Sequence, residues 1–364
     1  MEEQLFRLVA DIRPADESAM EKARERQAAL AKPPGSLGEL ETISIKLAGV
    51  TGSVNNTLES CRVIVMCADN GVIEEGVSCS PRSVTAAQAV NMTRRLTGMS
   101  SLAKHFGDDV EVIDVGIADE YDCAQVINRK IAHGTKNLYR EPAMTRDEAV
   151  RAILTGFEAA HTAHADGVKA VGVGEMGIGN TTTSSAVLSV LLNMPVEAVT
   201  GRGGGLTDSA FEKKKRVIEG AIALHRPDKN DVIDVLSKVG GFDIAAMCGV
   251  FLGCAKERIP VVIDGFISVV AALCAYRLCP AAADYMFPSH ASFETGYSAA
   301  AAELGLRPYL LLDMRLGEGS GCPIAFRVME AACAAMNGMA LFGQDSDIDD
   351  SYLTEIRKGD CFTV

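Results

Sequence analysis

The 364-residue sequence has no surplus of positive charge: 35 lysines and arginines are set against 48 acidic residues, a formal net charge of −13. A nucleic-acid backbone or an anionic membrane would meet repulsion over most of such a surface, so a small molecule is the expected partner. No unbroken apolar run of membrane-spanning length occurs, because Asp264 and Arg277 interrupt the most apolar later stretch. The N-terminal MEEQLFRLVADIRPADE lacks the basic leader and apolar core of a signal peptide, and a cytoplasmic location is expected. The 11 cysteines form no Cys-x-x-Cys pair, and Cys274 and Cys279 fall in or beside an Ala-rich helical pattern. They read as reduced and mostly buried, not as a disulfide framework or a zinc site. His161 and His164, spaced i, i+3 on an expected helix, lack convergent acids and read as an exposed face. Internal repeats and low-complexity segments are also missing.

What is present is an alternation. Leu5, Leu8, Val9 and Ile12 recur at helical spacing, and Asp16 or Ser18 can cap a second helix that runs to Ala31. The segment Lys32-Pro-Pro-Gly-Ser-Leu-Gly38 then breaks the pattern. From Arg62 onward, short β-rich runs alternate with Ala-rich helical stretches, the signature of an α/β fold with a parallel sheet and crossover helices. The runs are Val63 to Cys67, Val110 to Val115, Val168 to Gly174, Ile259 to Ile263 and Tyr309 to Met314. Each ends on a polar or glycine-rich turn: Asp69-Asn70-Gly71, Gly116, Glu175 to Asn180, Asp264-Gly265 and Arg315 to Gly321. In an open parallel sheet, ligands bind beyond the C-terminal strand ends, so these turns should converge on one cleft. From Gly343 the tail carries Asp345, Asp347, Asp349 and Asp350 and reads as an exposed acidic connection.

Three glycine-rich segments could carry chemistry. In Val171-Gly-Val-Gly-Glu-Met-Gly-Ile-Gly-Asn-Thr-Thr-Thr-Ser-Ser185 a strand runs through a glycine turn into a helix headed by hydroxyls, where backbone N–H groups favour an anion. The same segment holds a formal G-x-G-x-x-G at Gly172, Gly174 and Gly177, with Glu197 near where a ribose-binding acid would sit. A dinucleotide-binding oxidoreductase, or glycines serving only a tight turn and close packing, are open alternatives. The loop Thr200-Gly-Arg-Gly-Gly-Gly-Leu-Thr-Asp208 precedes a helix through Lys213, Lys214 and Lys215, which is either a second phosphate nest with cations nearby or a solvated lysine face. In Leu312-Asp-Met-Arg-Leu-Gly-Glu-Gly-Ser-Gly-Cys322, small neighbours would let a substrate approach Glu318 closely, as a general base requires, although a surface acid is the alternative.

Together these segments resemble the nicotinate-nucleotide:dimethylbenzimidazole phosphoribosyltransferase family, which makes the α-ribazole phosphate of the cobamide lower loop. The resemblance spans nearly the whole chain. It is carried by Lys32-Pro-Pro-Gly-Ser-Leu-Gly38, Ala68-Asp-Asn-Gly-Val72 with Glu75-Gly-Val-Ser78, Gly174-Glu-Met-Gly-Ile-Gly-Asn-Thr-Thr182, Thr200-Gly-Arg-Gly203, Asp264-Gly-Phe266, Ser289-His290 and Leu316-Gly-Glu-Gly-Ser320.

The resemblance implies a Rossmann-like parallel sheet with flanking helices over residues 61–324, and a small helical domain from the chain ends, 1–60 and 325–364. It implies a homodimer, with a pair of unlike subunits as the alternative, and no cofactor or metal. The substrates would be nicotinate mononucleotide and a benzimidazole or phenolic base. Glu318 would take the N–H proton of the acceptor, and Glu175 would share the catalytic site. Gly177, Gly179, Asn180, Thr181, Gly203, Gly204, Gly205, Lys214 and Ser292 match nucleotide-holding positions, and Ser80, Gln88 and Leu316 match the base pocket. Two departures stand out, Asn70 where the family commonly has histidine and Tyr297 where it often has histidine, and both are expected to alter the lower-base pocket. They also leave open a partner subunit that is inactive alone.

Overall fold

The computed structural model describes residues 1–344, 348–351 and 353. Asp345 and Asp347 of the acidic tail lie outside the described residues, whereas Asp349 and Asp350 are exposed.

Three N-terminal helices, α1 (Glu2–Ala10), α2 (Glu17–Ala29) and α3 (Glu39–Thr51), precede the sheet. Asp16 caps α2 by accepting the Ala19 N–H at 3.0 Å. There follow β1 (Cys61–Ala68), α4 (Val84–Thr93), α5 (Gly98–Phe106), β2 (Asp109–Gly116), β3 (Ile127–Asn128), α6 (Arg146–Ala165) and β4 (Ala170–Met176). The second half contains α7 (Asn180–Leu192), α8 (Val196–Val199), α9 (Asp208–His225), α10 (Val232–Val239), α11 (Phe242–Glu257), β5 (Val261–Ile263), α12 (Phe266–Leu278), β6 (Met286–Pro288), α13 (Tyr297–Glu303) and α14 (Cys322–Gly338).

The strands form one parallel sheet in the order β3-β2-β1-β4-β5-β6. Strand order reverses between β1 and β4, which places a crevice at their C-terminal ends. Near-continuous burial of β1 and β4 follows from helices covering both sheet faces. Helix α11 is buried almost all round, and it crosses α6 closely because Gly156, Gly249 and Gly253 leave room for the opposing backbone. A satellite cluster joins Ala19 and Ala23 of α2 and Ile45 and Ala48 of α3 to Met336 of α14. The chain ends also meet at an antiparallel bridge between Leu30 and Leu341.

The sheet differs from the sequence reading at both edges: β3 beside β2 is a two-residue strand outside the expected runs, and the other edge is not the expected one. Tyr309 to Met314 is not a strand; it runs beside the chain after β6 through a single parallel bridge, His290 with Leu310, and further bonds such as Ala291 N–H to the Leu310 carbonyl. Leu311 and Leu312 point outward, 84% and 50% exposed, so the apolar run is a surface feature and not a core strand. The sixth strand is the short β6, which ends on Pro288, a residue suited to an edge. His161 and His164 are exposed as expected, but an acid does converge on them: Glu257 lies 2.8 and 3.7 Å from their ring nitrogens. Among the described residues no three metal-donor side chains are grouped as ligands.

Candidate active site

The turns after β1, β4, β5 and β6 and the segment before α14 enclose one cleft at the C-terminal edge of the sheet. It is lined by Ser80 and Gln88 of the α4 region, by Glu175, Gly177, Gly179, Asn180 and Thr181 after β4, and by Gly203 and Gly204. Ser292, Leu316 and Glu318 complete the wall from the other side. Of the catalytic, nucleotide-holding and base-pocket residues that the resemblance implied, Gly205 and Lys214 do not line it. Gly205 ends the second glycine loop in a left-handed conformation, φ 110°. Lys214 is fully buried behind the wall, and its Nζ donates to Thr181 Oγ1 at 2.9 Å and to the Gly201 carbonyl at 3.1 Å. Burial pulls its pKa down to about 8, against the opposing influence of Glu294. Only the middle of the three lysines turns inward; Lys213 is exposed, as a solvated helix face requires.

The glycines of the formal fingerprint serve backbone approach. Gly172 faces Cys322 and Phe326 of α14, Gly174 lies against the Glu318 carbonyl, and Gly177 sits over the Ala68 carbonyl and Asp243. None of these three has positive φ, whereas Gly179, the residue before α7, does at 95°. The turn is braced from behind. Asp69 accepts from Thr85 Oγ1 at 2.6 Å, and Thr85 Oγ1 in turn accepts the Ile178 N–H at 3.1 Å. Asn180 donates its amide to Glu175 and, at 3.1 Å, to Asp243. With two buried acids sharing one amide, burial and then the neighbouring Asp243 push Glu175 up to about 8, and burial pushes Asp243 to about 6.

Glu318 stands on an arch of three consecutive left-handed residues, Gly317, Glu318 and Gly319, with φ of 82°, 64° and 87°. Its carboxylate accepts Gln88 Nε2 at 3.3 Å and the Met99 N–H at 3.2 Å. Met99 lies in the first turn of α5, where Thr97 and Ser100 form a capping box and unpaired N–H groups favour an anion. The Glu318 N–H donates to Glu175 Oε1 at 3.1 Å. Glu175 therefore has both oxygens occupied, and Glu318 is the carboxylate that meets the Gln88 side of the cleft.

Met99 and Asp243 were not visible as site residues in the sequence. The Thr97-x-x-Ser100 capping pattern and the Gly240-Gly241 break before α11 are the local signals that could have drawn attention to them. The two departures lie elsewhere than expected. Asn70 is buried beneath the glycine turn and Tyr297 is buried at the start of α13, and neither lines the cleft.

Comparison with known proteins bears on this geometry. The profile of a phosphoribosyltransferase family matches residues 12–346. The nicotinate-nucleotide–dimethylbenzimidazole phosphoribosyltransferase of Clostridium perfringens is 53% identical over 349 residues, covering 96% of each chain. The enzyme of the same name from Clostridium tetani is 47% identical over 347 residues, covering 95% of this chain and 96% of its own. The crystal structure of CobT from Thermus thermophilus superposes with a TM-score of 0.87 at 38% identity, over 91% of this chain and 99% of that one.

Proposed function

The chain belongs to the phosphoribosyltransferase family whose profile it matches, and from that membership we propose how its cleft moves the phosphoribosyl group of nicotinate mononucleotide onto 5,6-dimethylbenzimidazole, the transfer for which its relatives are named. The observation that carries the reading is the placement of one carboxylate, Glu318, opposite glycine turns with a buried cation behind them.

The nucleotide's glycosidic nitrogen belongs to a pyridinium ring, so nicotinate leaves with the bonding electron pair and becomes a neutral ring nitrogen. The acceptor's free ring nitrogen attacks C1′ on the face opposite the departing ring, and the new C1′–N bond forms as the old one breaks. The acceptor's other nitrogen gives its proton to Glu318. The protein then has to anchor the phosphate, align two reactants and accept one proton. Backbone N–H groups at the start of α7, the Gly203–Gly205 loop and Lys214 suit the first task, with Ser292 at the far wall. Ser80, Gln88 and Leu316 border the space beside Glu318 and suit the acceptor. Glu175, with both oxygens engaged, holds the Glu318 backbone and the turn instead of touching the reacting atoms.

The assembly in this reading is a homodimer. Leu311, Leu312, Leu316 and Phe293 expose 84%, 50%, 58% and 68% of their surface in the segments beside the cleft, a concentration that burial against a second copy would relieve. No helix among the described residues is long and apolar enough to cross a membrane. The described cysteines are free, which suits the reducing cytoplasm.

The test is to incubate the purified chain alone with nicotinate mononucleotide and a panel of benzimidazoles and phenols. Nicotinate release with a benzimidazole, from a particle of twice the chain mass by light scattering, is expected. Release with no acceptor in the panel would overturn the self-sufficient enzyme.

A further inference from the structure

Asp264 follows β5 and is buried at the floor of the cleft, 2% exposed. Its Oδ2 accepts the Gly319 N–H at 3.0 Å and its Oδ1 the Gly321 N–H at 2.7 Å. Alternating with these, the Ser320 and Cys322 N–H groups close local turns onto the Gly317 and Gly319 carbonyls, both at 3.0 Å. The arch thus has few backbone partners of its own, and its left-handed run is held from outside by two carboxylates, Glu175 at Glu318 and Asp264 at the next two free donors. Gly321 is also the N-cap of the 17-residue α14, so the anion sits at a helix N-terminus. On the other side stands His290, whose Nδ1 lies 3.8 Å from Oδ1 and pairs with Ser289 Oγ at 3.0 Å; Glu175, Tyr297 and Cys322 also feel the Asp264 charge. Ser289 Oγ in turn donates to the Asp264 carbonyl at 3.1 Å. Above the arch, Glu318 reaches Gln88 and Met99 only through bonds of 3.3 and 3.2 Å, so a small shift of its backbone would release both.

We propose that Asp264 is a positioning residue for the transfer, setting the aim of Glu318 by holding the backbone arch on which Glu318 stands. This rests on the reading of Glu318 as the base. The nucleotide cradle does not depend on these bonds: Thr85, Asn180 and Lys214 hold it from behind through other partners. Asp264 therefore governs turnover and leaves nucleotide binding alone.

The test is Asp264→Asn, which keeps the shape but turns an NH2 toward a backbone N–H, donor against donor. A base displaced by about 1 Å loses about 10²-fold in rate. The expected result is a kcat lowered about 10²-fold with the KM and calorimetric Kd for nicotinate mononucleotide within about threefold of the parent. Gly319→Ala, whose Cβ would fall 2.8 Å from Val63 and 3.0 Å from Gly174, disturbs the arch independently and should show the same split, with no further loss in the double variant. Should Asp264→Asn fail to fold, Asp264→Glu, longer by one methylene with the charge kept, carries the same expectation. A kcat near that of the parent, or nucleotide affinity lost in step with turnover, overturns the proposal. Glu318→Gln measured alongside separates the two readings. Full turnover in Glu318→Gln sinks the base assignment, whereas an inactive Glu318→Gln beside a fully active Asp264→Asn sinks the role of Asp264 alone.

Discussion

Across the cleft, the turn from Glu175 to Thr181 and the arch from Gly317 to Gly321 are both rich in glycine but use it differently. In the turn, Gly177 has no positive φ; it is glycine because the Ala68 carbonyl and Asp243 lie directly beneath it. In the arch, Gly317 and Gly319 bracket a left-handed Glu318, a conformation that costs an L residue on the order of 1–3 kcal/mol and persists where neighbours hold it. The turn is braced by a network of amide, hydroxyl and carboxylate that ends in the sheet, while the arch hangs from carboxylates belonging to other segments. In the proposed reading the difference gives them separate work. A surface packed close around backbone N–H groups suits binding, and a strained residue aimed by outside partners suits the chemical step.

The two regions should part most widely at the arch. Glu318→Gln should lower nicotinate release about 10²–10⁴-fold in steady-state assays, the usual worth of a positioned general base. On the turn, Gly177→Ala would place a Cβ 2.6 Å from Asp243 Oδ2. It should raise the KM for nicotinate mononucleotide about tenfold or more while destabilising the fold by about 1–3 kcal/mol in urea melts. A smaller effect comes from Lys214, whose pKa is lowered to about 8. The amine is cationic below that pH and neutral above it, so the KM for the nucleotide should climb as pH rises past about 8, and Lys214→Met should be weak but flat across the same range. Glu175 bears on the contrast through stability and not through turnover. Glu175 rises from its ordinary 4.5 to about 8 in the fold, so the folded chain binds this proton more tightly than the unfolded chain. The stabilisation is complete below 4.5 and is lost as pH climbs to about 8, at most about 1.4 kcal/mol per pH unit. Denaturant titrations of Glu175→Gln should lack that share of the slope.

Much of this was legible in the sequence because it is local. Strands β1, β2, β4 and β5 appear as apolar β-branched runs, and the turns after β1, β4 and β5 converge on the cleft as a parallel sheet demands, whereas Gly116 after β2 does not line it. Strands of two or three residues such as β3 and β6 have no such pattern, and the leucines at 310–312 imitate a strand while two of them face solvent. Within the site, Glu318 stood out by its glycine neighbours. Its support did not, because the Met99 and Asp264 contacts join segments 219 and 55 residues apart, which no local pattern records. Lys214 looked like part of a solvated run, and only the helix phase of α9 separates it from Lys213. The departures at Asn70 and Tyr297, expected to alter the lower-base pocket, lie behind the wall, a placement that only the third dimension reveals.

The separation of binding from chemistry is tested most directly by titrating nicotinate mononucleotide into Glu318→Gln in a calorimeter, with no acceptor present. The cradle around Gly177, the Gly203 loop and Lys214 predicts a Kd within about threefold of the parent protein, in a variant whose turnover is nearly abolished. A nucleotide affinity that collapses together with turnover would place Glu318 on the donor side and contradict the division.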